Sequence, residues 1–229
     1  MAVILKDGSV FLHIPKTGGT WVTGVLRDLG FARCSIGHRH ANWPHILAPG
    51  FQGVGRKCEY LYKRGRYLRR HPRPFTFCFV RHPLSWYESF YRYKSQPGID
   101  WERDGDADDF NRWHPNAVLN GLGCEVDGTA RDFNSFVAAV HEKFPGYVTA
   151  LYDHFSLYPV DFIGKQESLS EGLAAVLERL GFDFDPAMIY DSNAVNVSSG
   201  KPSGMEWDRD LRERVQAAEA GAMMRFGYE

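Results

Sequence analysis

The strongest constraint on this chain lies at residues 10–21, VFLHIPKTGGTW. Residues 10–14 form a short apolar run with the character of a buried strand. Residues 19–29 carry helical spacing, and Gly30 supplies the stop. Between them stands Pro15-Lys16-Thr17-Gly18-Gly19-Thr20. A strand that turns through glycines straight into a helix can cradle a phosphate. Glycine lets the backbone turn sharply and approach an anion. The N–H groups of the helix's first turn, with the helix dipole behind them, favour negative charge. Lys16 adds a point charge, and Thr17 and Thr20 add hydroxyl donors. The bland alternative is a strand–helix turn whose glycines serve packing alone. The order of residues excludes the common nucleotide loop G-x-x-x-x-G-K-[ST], because that pattern places its lysine after the glycines and here Lys16 precedes Gly18 and Gly19.

The remaining punctuation defines the class. Strands are expected at 75–80 (FTFCFV, apolar on both faces) and 160–164. Helices are expected at 83–93 with Pro83 in the first turn, at 132–144, after the capping-box pattern Ser168-Leu-Ser-Glu171, and as one long segment over 206–226. Residues 33–55, rich in His, Pro and Gly, read as loop with at most a helical turn. Residues 95–128, rich in Gly and Asp, read as a mobile lid or insertion. Alternation of strand and helix implies an α/β fold: a P-loop-like three-layer arrangement, a mostly parallel central sheet flanked by helices. At 229 residues, one domain spanning 1–229 is expected.

A second motif follows the second strand. Arg81 comes directly after FTFCFV, where open α/β sheets bind ligands. Ser89 lies eight residues on, on the same helix face as Ser85. A guanidinium fork and a hydroxyl suit a second phosphate, although a surface Arg and an ordinary helix Ser read the same way.

Together, Pro15–Thr20 and F-V-R-H-P with Ser89 resemble the sulfotransferase superfamily, in the branch of carbohydrate O-sulfotransferases and their bacterial relatives. The resemblance extends to DFIGKQESLSEGLAAVLERLGF and to NVSSGKPSG with the terminal helix ending RFGY. It implies a nucleotide donor, 3′-phosphoadenosine 5′-phosphosulfate (PAPS). Lys16, Thr17, Gly18, Gly19, Thr20 and Trp21 would hold its 5′-phosphosulfate. Arg81 and Ser89 would hold its 3′-phosphate, and Lys201 would close over the nucleotide. Trp86 stands where many relatives carry Arg. The acceptor would be a hydroxyl compound, with a carbohydrate or small alcohol favoured. The base would come from the loop GHRHANWPH, with His40 ahead of His38 and with Glu88 and Asp28 as weaker candidates. His38, His40 and His45 also permit a metal cluster, but no fourth ligand is evident and no metal is expected. Competing readings are a nucleotide-dependent kinase or NTPase, and a module that binds nucleotide without transferring anything.

Net charge is −1, so no global field points to nucleic acid or to a membrane surface. Charge is segregated locally. Residues 56–73 hold eight Lys/Arg against Glu59, and residues 100–109 hold six acids against Arg103. The basic stretch reads either as a solvated or cofactor-side face, or as a site for an anionic acceptor such as an acidic glycan. Its interleaved Tyr60, Tyr62 and Tyr67 would also suit nucleic acid, but no nucleic-acid partner is expected. The aromatic-rich region from Trp86 to Trp113 would suit stacking on a sugar ring or covering a small alcohol. The apolar N-terminal run is broken by Lys6, Asp7 and Gly8. With no export signal and no membrane span, and with Cys34, Cys58, Cys78 and Cys124 scattered, a cytoplasmic protein with free thiols is expected.

Overall fold

The structure is a computed structural model that describes residues 2–36, 65–67, 69–96, 119, 121–125, 129–156, 159–192 and 205–229. The chain divides into two compact units. One comprises residues 1–80 with 154–196, the other residues 81–153 with 197–229. Among the described residues no helix is long and apolar enough to cross a membrane.

The first unit is built on a five-stranded sheet. Its strands are β1 (Ala2–Leu5), β2 (Val10–Leu12), β3 (Ala32–Ile36), β4 (Thr76–Val80) and β5 (Phe162–Lys165), in the spatial order β3-β1-β2-β4-β5. β2, β4 and β5 run parallel, with Phe11 opposite Phe77 and Phe77 opposite Phe162. β1 runs antiparallel to both β2 and β3. The sheet is therefore mixed, which corrects the expectation of a mostly parallel one. A tight turn causes the difference. The Asp7 carboxylate accepts from the Ser9 N–H and hydroxyl at 3.0 and 2.8 Å and folds β1 back on β2. β3 occupies ground expected to be loop. It is an edge strand whose backbone pairs only because β1 lies beside it, a contact that local composition cannot report.

One face of the sheet presents Val3, Leu5, Phe11, Phe77 and Phe79. Against it pack Trp21, Val22, Val25 and Leu26 of α1 (Gly19–Asp28) and Leu173, Val176 and Leu177 of α5 (Leu169–Arg179). Each fully buried side chain of this size contributes roughly 1.5–3 kcal/mol. Ile4, Val10, Leu12, Cys78 and Val80, which alternate with the first set, are buried as well. The capping box expected at Ser168 does not form. Gln166–Ser168 makes a 3-10 turn that runs directly into α5, and the Ser168 side chain makes no cap bond. A short helix, α6 (Ala187–Tyr190), adds Ile189 to the core.

The second unit is helical. α2 (Pro83–Lys94) buries Trp86, Tyr87 and Phe90; Trp86 stacks on Phe90, and Phe90 stacks on Phe136 of α3 (Phe133–Lys143). Asp132 caps α3, accepting from the Ser135 hydroxyl at 2.6 Å and from the Ser135 N–H at 2.9 Å, and these bonds, the hydroxyl's first, hold its carboxyl below the usual range. α4 (Tyr147–Ser156), within which the division between units falls, follows Pro145-Gly146. The single long helix expected over 206–226 is two helices, α7 (Arg209–Ala218) and α8 (Ala220–Phe226). Glu219 separates them. Its fully buried carboxylate accepts from the N–H groups of Val148 and Thr149 and so caps α4. It also accepts from the Tyr87 hydroxyl at 2.7 Å. Burial, and then the Glu219 charge, push the Tyr87 phenol well up.

Candidate functional site

β2 ends at Leu12, and the chain passes through His13 and Ile14 into the turn Pro15–Gly18 before α1 begins. The Thr17 side chain is buried, and its hydroxyl donates to the Ile14 carbonyl at 3.0 Å. Thr17 thus ties the turn to the strand that precedes it. Lys16, half-buried, has φ +64 and is the one non-glycine residue with positive φ among the described residues. A side chain in this left-handed region costs of order 1–2 kcal/mol. Gly18 follows at φ +83, with Thr17 between them outside the positive region. Positive φ at two positions so close together makes a tight turn, the kind of backbone from which anion-binding nests of successive N–H groups are built.

The start of α1 adds to that field. Its N-cap is Gly18, which has no side chain to accept from the first turn, and the first turn holds no acidic residue. The first i→i−4 bond is made by the Val22 N–H to the Gly18 carbonyl. The amides of Gly19, Thr20 and Trp21 therefore lie ahead of the intrahelical ladder. The Trp21 ring itself packs in the core, so only its backbone belongs to the turn.

Both glycines are also demanded by packing. A Cβ on Gly18 would stand 2.5 Å from Leu169 Cδ2, and a Cβ on Gly19 would overlap the His13 imidazole. His13, buried and stacked on Phe11, belongs to no motif, and its place beside the turn is its one signal in the sequence. Leu169 and Gln166 bring the start of α5 against the same turn.

Arg81 follows β4 directly, and β4 runs parallel to β2. Its side chain is half-buried, and its backbone is gripped by Tyr152 of α4. The Tyr152 hydroxyl accepts from the Arg81 N–H at 3.0 Å and donates to the Arg81 carbonyl at 2.7 Å. The next residue, His82, is the N-cap of α2. Its Nδ1 accepts from the Leu84 N–H, which leaves Nε2 to donate to the Glu229 carbonyl at 3.3 Å. Ser89 is half-buried on α2, about 9 Å along the helix axis from Pro83.

A half-open groove of about 680 Å³ in the second unit runs between α2 and α7. It is lined by His82, Ser85 and Glu88 on one side and by Trp207, Arg209 and Arg212 on the other. Glu88, weighed above as a base, accepts from the Trp207 indole N–H at 2.9 Å. Asp28 is exposed at the far end of α1, about 14 Å along the axis from the turn. Trp86 is fully buried and cannot stack on a ligand. Of the basic stretch, Arg66, Arg69, Arg70 and Arg73 are exposed. Tyr67 is instead buried and donates to the Gly8 carbonyl at 2.7 Å. Burial, with the Asp7 charge second, raises its phenol. His38, His40, His45, Lys201, Tyr60, Tyr62 and most of the expected lid lie outside the described residues. Among the described residues, no three His, Cys, Asp or Glu side chains converge as a metal site.

No family model, curated protein or solved structure matches this chain.

Proposed function

We propose that this protein is a sulfotransferase that takes a sulfuryl group from PAPS and passes it to the hydroxyl of an acceptor, a carbohydrate or small alcohol. The observation that carries the reading is Lys16 held at φ +64 between a buried strand and an uncapped helix start. A lysine held in a left-handed conformation in a turn without acidic residues fits an anion better than it fits packing, since a residue in an unstrained conformation would serve packing alone. The glycines beside it have packing reasons of their own and add less weight.

PAPS, when bound, supplies the activated sulfuryl group and a phosphate leaving group. The chain's own residues have separable tasks. The amides of Gly18, Gly19, Thr20 and Trp21 bind the 5′-phosphate, and Thr17 keeps the turn in shape. Lys16 neutralises the charge that grows on the leaving oxygen as the S–O bond to phosphate breaks. Arg81 and Ser89 take the 3′-phosphate, and Lys201 closes over the nucleotide. As the acceptor oxygen bonds to sulfur, its proton passes to an imidazole, His40 before His38.

Calorimetric titration with adenosine 3′,5′-bisphosphate, beside AMP and ATP and without metal, tests the reading. Tight binding that depends on the 3′-phosphate is expected. A preference for ATP, or turnover of ATP with magnesium, would instead make the protein a kinase or NTPase. Tight bisphosphate binding with no transfer to a broad acceptor panel would make it a non-catalytic module.

A further inference from the structure

We infer that Tyr152 is a positioning residue for the 3′-phosphate, acting through the backbone of Arg81; this rests on the sulfotransferase reading above. The parallel ladder of β4 ends where Val80 faces Lys165. The next residue, Arg81, is held by a side chain instead of another rung. One hydroxyl serves both of its main-chain groups, accepting from the N–H at 3.0 Å and donating to the carbonyl at 2.7 Å. A single oxygen bonded to both ends of one residue restrains φ and ψ together.

The hydroxyl is itself well placed. Tyr152 is 1% exposed, and its ring meets Phe226 edge-on at 5.7 Å between centroids. The far side of the corner is fixed as well. His82 caps α2 through Nδ1, and Pro83 occupies the helix's first position. The root of the Arg81 side chain is therefore clamped on both sides in sequence. A long guanidinium side chain loses substantial rotamer freedom when it grips an anion, and a fixed Cα reduces what remains to be ordered. A backbone clamp of this kind is an arrangement for placing one side chain, and the side chain it places is the one proposed to read the 3′-phosphate.

The test uses the full chain and two probes, adenosine 3′,5′-bisphosphate and AMP. Tyr152→Phe keeps the ring and its packing and removes both hydrogen bonds. Its affinity for the bisphosphate is expected to fall about tenfold, in line with the loss of one or two buried hydrogen bonds. Its affinity for AMP, which lacks the 3′-phosphate, is expected to stay within about twofold. In an Arg81→Ala background, Tyr152→Phe is expected to have no further effect on the bisphosphate, because the two residues act as one unit. Phe226→Leu serves as the control. It loosens the ring's packing, and is expected to lower thermal stability without changing the ratio of the two affinities. Equal losses for both nucleotides, an undiminished bisphosphate affinity, or additive effects of the two substitutions would overturn the role of Tyr152 while leaving the sulfotransferase reading intact. A wild-type protein that binds both nucleotides equally would overturn both.

Discussion

The Thr17 hydroxyl donates to the Ile14 carbonyl across the turn that separates β2 from α1, at 3.0 Å and out of reach of solvent. The bond closes the turn on itself, so the shape of the proposed anion cradle depends on a group that need not touch the anion. Thr17→Val keeps the volume and removes the donor. It should destabilise the fold by about 1–2 kcal/mol, because the carbonyl is left without its partner. Thr17→Ser should retain most of the stability. Urea denaturation of the two variants checks this, and equal stability of all three proteins would contradict it.

Lys16 couples strain to function. Lys16→Gly removes the left-handed penalty and should raise stability by about 0.5–1 kcal/mol. The same substitution should lower sulfuryl transfer at least about a hundredfold, as expected for a lost transition-state charge partner. Binding of the product nucleotide should weaken far less. Denaturation and transfer rates measured on one preparation give both numbers. Equal losses in transfer and in product binding would remove the assigned role.

Gly19 and His13 are in direct contact, so each limits the other. Gly19→Ala should cost about 1–3 kcal/mol by overpacking. Adding His13→Ala should recover part of that cost, since it removes the ring that a methyl group would strike. A double-mutant cycle on unfolding free energies reads the coupling. Strictly additive losses would show that the two residues do not meet.

Glu219 accepts from the Tyr87 hydroxyl, from the Val148 and Thr149 N–H groups, and from the Thr149 hydroxyl. Glu219→Gln places an amide donor among those donors and should cost about 3 kcal/mol. Thr149→Val removes one of these bonds and the 3.2 Å bond from the Ala222 N–H to the Thr149 hydroxyl, but leaves the carboxylate with its three other donors, and should cost less. Thermal unfolding of the two variants should therefore show a clearly larger drop for the Glu219 change.

His154 is half-buried on α4, and desolvation lowers its pKa below 6.5. The folded state thus binds fewer protons than the unfolded state between the lowered value and 6.5. The stability linked to this group is fully present above pH 6.5 and is lost as pH falls through the lowered value. Unfolding free energy should decline over that window in the wild-type protein and flatten in His154→Gln. Identical pH profiles would contradict the burial effect.

Much of the first unit was legible in the order of residues. The turn at Pro15–Thr20, the helix after it, the inner strand β4 and the strand–helix unit of β5 and α5 were all marked by local patterns. β2 and β4 are buried on both faces, so their apolar runs show without any knowledge of neighbours. β1 and β3 were not legible, because an edge strand or a hairpin partner is defined by what lies beside it. The break at Glu219 was hidden for a similar reason. A glutamate inside a helical pattern reads as a solvated face, and only the approach of the α4 N-terminus turned it inward. The candidate residues Lys16, Arg81 and Ser89 stand out by type and spacing. Tyr152, which is bonded to the Arg81 backbone, and His13, which packs against Gly19, carry no motif at all.

The amino-acid order by itself determined where the chain turns from strand to helix and which charged and glycine residues stand there, because turn chemistry and apolar periodicity act over a few residues. The tertiary structure alone decided that the sheet is mixed, that Lys16 is held in a left-handed conformation, and that a tyrosine 71 residues away clamps Arg81. The physical reason is that strand pairing, backbone strain and long-range hydrogen bonds depend on groups distant in sequence, which meet only when burial of the core brings them together.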